Sequence, residues 1–204
     1  MKISPGFTII EMTVVLVILG LLMGSLLIPM SAQMEQKRLD ITRQRLETIR
    51  QTLLGFAITN NGEFPNPDKD RDGRSDSGSE DEEGYLPWVS LGIEDKYDAW
   101  GHPFRYRVVT DDFKIENANG QEVSSGNVVA IIFSCGKNGE ANLKNDALDS
   151  NDLICSNPGR HPHKSYTQDR PLENFNGENF DDVLIWISKE ELNGSLTAAG
   201  KEPI

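Results

Sequence analysis

The chain has 204 residues, 37% of them hydrophobic and 25% charged, the proportions of a folded protein rather than a disordered one. A count of 20 lysines and arginines against 32 aspartates and glutamates leaves a net charge of −12, which disfavours nucleic acid or an anionic membrane surface as a direct partner. Two cysteines are too few for a disulfide scaffold or a four-cysteine zinc site.

Residues 7–30 read FTIIEMTVVLVILGLLMGSLLIPM, and Glu11 carries the only charge. As a helix at about 1.5 Å per residue, this run extends roughly 36 Å, enough to cross a hydrocarbon core of about 30 Å. One transmembrane helix is therefore expected. A cleavable secretory signal fits poorly. Cleavage after Ala32 or Ser31 would put Met30 or Pro29, respectively, where a small residue is needed. A carboxyl group in this setting costs about 2–3 kcal/mol unless it reaches the headgroups or finds a partner. A cut between Gly6 and Phe7 would create such a partner, an α-amino group four residues from Glu11. In a packed array of these helices, the carboxylate of one chain could pair with the terminal amine of the next.

The leader Met1-Lys-Ile-Ser-Pro-Gly6 followed by Phe7-Thr-Ile-Ile-Glu11 resembles the class III signal of type IV pilins and pseudopilins. The resemblance implies that a prepilin peptidase cuts after Gly6 and methylates the amine of Phe7, and that Glu11 acts in filament assembly. It also implies a single-pass inner-membrane protein with its head in the periplasm. The implied partners are other pilin or pseudopilin subunits, the peptidase, an inner-membrane assembly platform and the lipid bilayer. Lys37, Arg38, Arg43, Arg45 and Arg50 lie just beyond the apolar run. By charge alone they would place the carboxyl end in the cytoplasm; the processing implied by the leader overrides that count. The expected organisation is a leader (1–6), a transmembrane helix (7–30), an amphipathic stem (31–60) and a head (61–204).

Along the stem, Leu39, Leu46, Ile49, Leu53 and Phe56 form an apolar stripe on one helix face. Glu35, Asp40 and Glu47 precede Arg38, Arg43 and Arg50 by three residues, as suits a solvated opposite face. Asn60-Asn61-Gly62, then Pro65 and Pro67, end the helix. A sheet is expected to cover the stripe. Phe104, Tyr106 and Val108 alternate with Arg105, Arg107 and Val109 as in a half-buried strand, with 113–115 beside it. Asn119-Gly120 predicts a turn, with 121–123 returning after it. Residues 128–133 (VVAIIF) suit a central strand, 183–187 suit another, and Ser188 with Glu191 predicts a capping box opening a short final helix. The fold class is α+β: a long N-terminal helix packed on an antiparallel sheet, in agreement with the pilin fold. Trp88, Trp100 and Trp186 read as packing residues.

The head adds patches of similarity. Residues 97–106, YDAWGHPFRY, look like the D-x-W-G-x-P-x-x-Y stretch of type II secretion major pseudopilins, and Ser134 to Gly139 with Asp149 and Asp152 is similar to their calcium loop. The leading candidate cation site needs no resemblance. Asp68, Asp70 and Asp72 alternate before Gly73, with Asp76 following, a pattern that suits a hard, oxygen-liganded Ca²⁺. The twelfth position is Ser79 rather than glutamate, so affinity should be low or the ligand set rearranged. Between Glu63 and Glu83, nine acids face three bases, and a cation would relieve their repulsion. Outside the cytoplasm, Cys135 and Cys155 are expected to form a disulfide worth roughly 3 kcal/mol. His161-Pro162-His163 reads as a loop, and no catalytic motif is found, so no enzyme is expected. The expected function is a structural subunit of a pilus-like filament; the rival is a membrane-tethered, calcium-dependent binding module.

Overall fold

The computed structural model describes residue 6 and residues 8–77, 83–110, 113–117, 119–124, 127–141, 165–168, 172–175 and 178–204, without the side chains of 23–30 and 172–179. Helix α1 covers Ile9–Thr59. The chain divides into two compact units, Met1–Arg38 and Leu39–Ile204. In the first, α1 carries exposed apolar side chains along Ile9–Leu22, with Ile9 at 86% and Leu21 at 72% of full exposure. Among the described residues, no helix is long and apolar enough to cross a membrane.

In the second unit the periodicity of the stem has its expected effect. Leu46, Ile49, Leu53, Leu54 and Ala57 are buried, with Leu39 and Phe56 packed partly against them. The helix ends where the turn residues predict: Asn61 and Gly62 take φ of 58° and 89°, and the Gly62 N–H donates to the Ala57 carbonyl at 2.8 Å.

The strands after the stem are β1 (Gly84–Tyr85), β2 (Arg105–Val108), β3 (Lys114–Glu116), β4 (Val128–Ser134), β5 (Ser165–Thr167), β6 (Leu172–Phe175), β7 (Glu178–Phe180) and β8 (Val183–Ser188). A short helix α2 (Trp88–Leu91) follows β1, and α3 (Lys189–Ala198) follows β8. The main sheet has the order β1-β2-β4-β8 and is antiparallel throughout. The apolar run 128–133 is thus a central strand, as its composition requires. A bulge between Val128 and Ala130 sets which side chains face the stem: Ala130 and Ile132 join Tyr106, Ile187 and the α3 leucines Leu192 and Leu196 beneath α1. The fold is α+β, with the stem helix packed on an antiparallel sheet.

Two expectations are corrected. Strand β3 does not lie beside β2; it pairs in parallel with β5. Nor is β2 half-buried. The layer containing β3 and β5 covers the far face of the sheet, where Ile131, Phe133 and Leu184 pack with Phe113, Ile115 and Tyr166. Arg105 and Arg107, expected on a solvated face, are therefore only 3% and 7% exposed. Arg105 forms an ion pair with buried Glu83, which also accepts a hydrogen bond from the Tyr166 hydroxyl. Arg107 lies 4.9 Å from the centre of the Phe113 ring. The alternation shows that the two faces differ; it carries no sign of a second layer drawn from residues about 60 positions downstream.

Candidate functional site

At the amino end Gly6 is exposed, while Phe7 lies outside the described residues. The Thr8 backbone N–H and its hydroxyl each donate to Glu11 Oε2 at 2.8 Å, and the Glu11 N–H donates back to Thr8 Oγ1 at 3.3 Å. This is a reciprocal capping box, which satisfies two orphan donors of the first turn and places a carboxylate at the positive end of the helix dipole. The T-x-x-E spacing that announces it is legible in the sequence, although no intrachain partner was expected for Glu11. One exists in the isolated chain.

The acidic loop is ordered around Asp68. This side chain is 1% exposed, its Oδ1 accepts the N–H groups of Asp70 and Arg71 (3.1 and 2.7 Å), and its Oδ2 accepts that of Gly73 (2.7 Å). Burial pushes its carboxyl pKa up, against the three backbone donors that pull it down. Gly73 has φ +84°, and a Cβ there would meet the Trp88 ring at 2.4 Å, so only glycine permits the turn. Of the four predicted ligands, Asp68, Asp70 and Asp76 bring one carboxylate oxygen each to within 4.8 Å of one another. Asp72 is not among them; its Oδ1 accepts the Arg74 N–H at 2.7 Å. The three convergent oxygens suit a hard cation, but the ligand set is smaller than the motif suggests.

The second predicted loop is less complete. Asp149 and Asp152 lie outside the described residues. Ser134 is fully buried, and its hydroxyl donates to Asp98 Oδ2 at 2.6 Å and accepts the Gly136 N–H at 3.1 Å. Its oxygen already serves two hydrogen bonds within the protein. Cys135 is fully buried and no described cysteine is free; Cys155 lies outside the described residues, as do His161 and His163.

Asp98, from the D-x-W-G segment, organises the turn that leads into β2. Oδ1 accepts the N–H groups of Trp100 and His102 at 2.9 and 2.8 Å. The stem reaches the same segment: Arg45 donates to the Tyr97 carbonyl at 2.8 Å and Thr42 Oγ1 accepts the Ala99 N–H at 3.2 Å. The W-G segment thus joins helix to sheet.

Comparison with known families assigns the amino-terminal geometry. Residues 1–27 match the prokaryotic N-terminal methylation motif. The chain carries the class III signal of type IV pilins and pseudopilins. This signal contains the Gly6–Phe7 junction, the Thr8–Glu11 capping box and most of the exposed apolar face. No curated protein and no solved structure gives a significant match to the chain.

Proposed function

We propose that the protein is a structural subunit of a type IV pilus-like filament, either a type II secretion pseudopilin or a minor pilin, and not an enzyme. The observation that carries this reading is the methylation motif over residues 1–27. The exposed apolar side chains of Ile9–Leu22 support it, because a surface of that kind is stable only when covered by lipid or by like helices. In this reading residues 7–30 cross the inner membrane and the head stands in the periplasm. Prepilin peptidase removes residues 1–6 and methylates Phe7. In the bilayer, the Thr8 capping box shelters the Glu11 carboxylate until assembly supplies a better partner, the amine of a neighbouring Phe7. An assembly platform in the same membrane draws the processed chain into the filament.

Intact-mass analysis of the protein from cells holding the processing machinery tests the proposal. A mass lacking residues 1–6 and carrying one added methyl group is expected; a chain that keeps Met1 overturns it.

The convergence of Asp68, Asp70 and Asp76 favours an accompanying role for Ca²⁺ in ordering the head. A tethered calcium-dependent binding module would share that loop but would show no cross-linking between stems.

A further inference from the structure

A small cleft in the head sets two cations against aromatic rings. It measures about 140 Å³, and its lining includes Tyr85, Trp88 and Tyr97 together with Arg71, Lys96 and Asp68. The Lys96 ammonium lies 4.7 Å from the Trp88 ring centre and 5.3 Å from that of Tyr97, and the Arg71 guanidinium lies 4.7 Å above Tyr85. Arg71 holds this place from a left-handed backbone, φ +70°, a conformation that non-glycine residues seldom adopt. It donates to the Tyr85 hydroxyl at 2.5 Å.

Two cations thus rest on aromatic faces in a chain of net charge −12. Among the described residues, no carboxylate lies within ion-pair distance of either. The acids nearby are engaged elsewhere: Asp95 pairs with Arg45 at 3.3 Å, Asp68 accepts three backbone N–H groups, and Asp98 holds Ser134. Size narrows the occupant. Pockets for whole small molecules run from about 300 to 1,000 Å³, so this cleft has room for a single side chain. A carboxylate between an arginine fork and a lysine, against apolar walls that weaken solvent screening, is the complementary group.

We propose that the Arg71–Lys96 cleft receives a carboxylate side chain from a second copy of this chain. Exposed Glu63 and Asp72, which stand apart from the convergent aspartates, give every copy that group. A filament in which this chain is the repeating subunit sets the same head beside itself. The proposal rests on the filament reading.

The test uses two full-length copies with different epitope tags, co-expressed in cells that assemble the filament. A water-soluble carbodiimide joins an amine to a carboxylate only when the two are in contact. The expected result is a product bearing both tags, in which peptide mapping places Lys96 in amide linkage with an acidic residue of the other copy. Lys96→Arg keeps the charge but forms no stable amide, so filaments should persist while the product is lost. Filaments without any Lys96 joint between copies overturn the cleft proposal and leave the filament reading intact. Lys96 joined only within its own chain, or to a different protein, also overturns it. Failure to form filaments at all, with residues 1–6 retained, overturns both.

Discussion

Ser134 and Asp98 meet at 2.6 Å, both buried, and tie the end of the central strand β4 to the W-G segment. The other hydrogen bonds to the Asp98 carboxylate come from the backbone N–H groups of Trp100 and His102, so one side chain fixes two stretches of chain that are distant in sequence.

Truncating that side chain should be costly. Asp98→Ala leaves the Ser134 hydroxyl and the N–H groups of Trp100 and His102 without their acceptor, at about 1–3 kcal/mol for each group that water cannot reach. We expect a loss of roughly 2–4 kcal/mol overall. Ser134→Ala removes one bond and should lose less. Thermal unfolding of the full chain in detergent micelles checks both; equal losses would show that Ser134 has a larger role than this geometry provides.

The start of α3 offers a smaller, cleaner change. Ser188 caps the helix by accepting the Glu191 N–H at 3.2 Å, but the Glu191 carboxylate turns to Arg50 on the stem rather than back to Ser188. Only half of the expected capping box forms. Ser188→Ala should cost about 1 kcal/mol and Ser188→Asp almost nothing, as read by denaturant midpoints at unchanged slope.

At the amino end, Glu11→Ala is expected to leave cleavage after Gly6 intact and to impair filament assembly. Thr8→Ala, which removes the hydroxyl half of the capping box, should lower the amount of processed chain retained in the membrane without abolishing assembly. Quantitative immunoblotting of membrane and sheared-filament fractions separates the two. Normal incorporation of Glu11→Ala would remove the pairing role.

Calcium should raise the melting temperature and protect the stretch around Asp68 from proteases, and EGTA should reverse both effects. Asp70→Asn with Asp76→Asn should abolish the response, whereas Asp72→Asn should leave it, since Asp72 stands apart from the convergent trio. A response lost on Asp72→Asn instead would mean that the loop rearranges around the ion.

Alkaline pH should unfold the head for an identifiable reason. Tyr106 and Tyr166 are fully buried, and burial pushes both phenols well above their ordinary value near 10; the Glu83 carboxylate beside Tyr166 opposes ionisation further. The folded state therefore keeps protons that the unfolded state releases from about pH 10 upward. Stability is unaffected below that point and falls as pH rises above it, by up to about 1.4 kcal/mol per pH unit for each tyrosine. Tyr106→Phe should remove one share of the slope. Tyrosinate absorbance should appear together with loss of structure rather than before it.

Much of this was legible in the residues. The stripe at Leu46, Ile49 and Leu53, the stop at Asn61-Gly62, the apolar run of β4 and the cap at Ser188 each follow from local rules, because each depends on spacing within a few turns or on one residue's backbone freedom. The site was legible in part. The alternating aspartates announce an acidic turn, but not that Asp72 faces away. The cleft between Arg71 and Lys96 left no trace in the sequence, since its members are scattered over separate segments from Asp68 to Phe104.

The sequence by itself determined the signal, the helix and the identity of the central strand, all written in contiguous residues. Tertiary structure alone decided that β3 would pair with distant β5, that the second face of the sheet would be covered, and that Arg105 and Arg107 would be buried there, the first paired with Glu83. Burial is a property of what arrives from elsewhere in the chain, and a strand's alternation describes its two faces without saying what will lie on either.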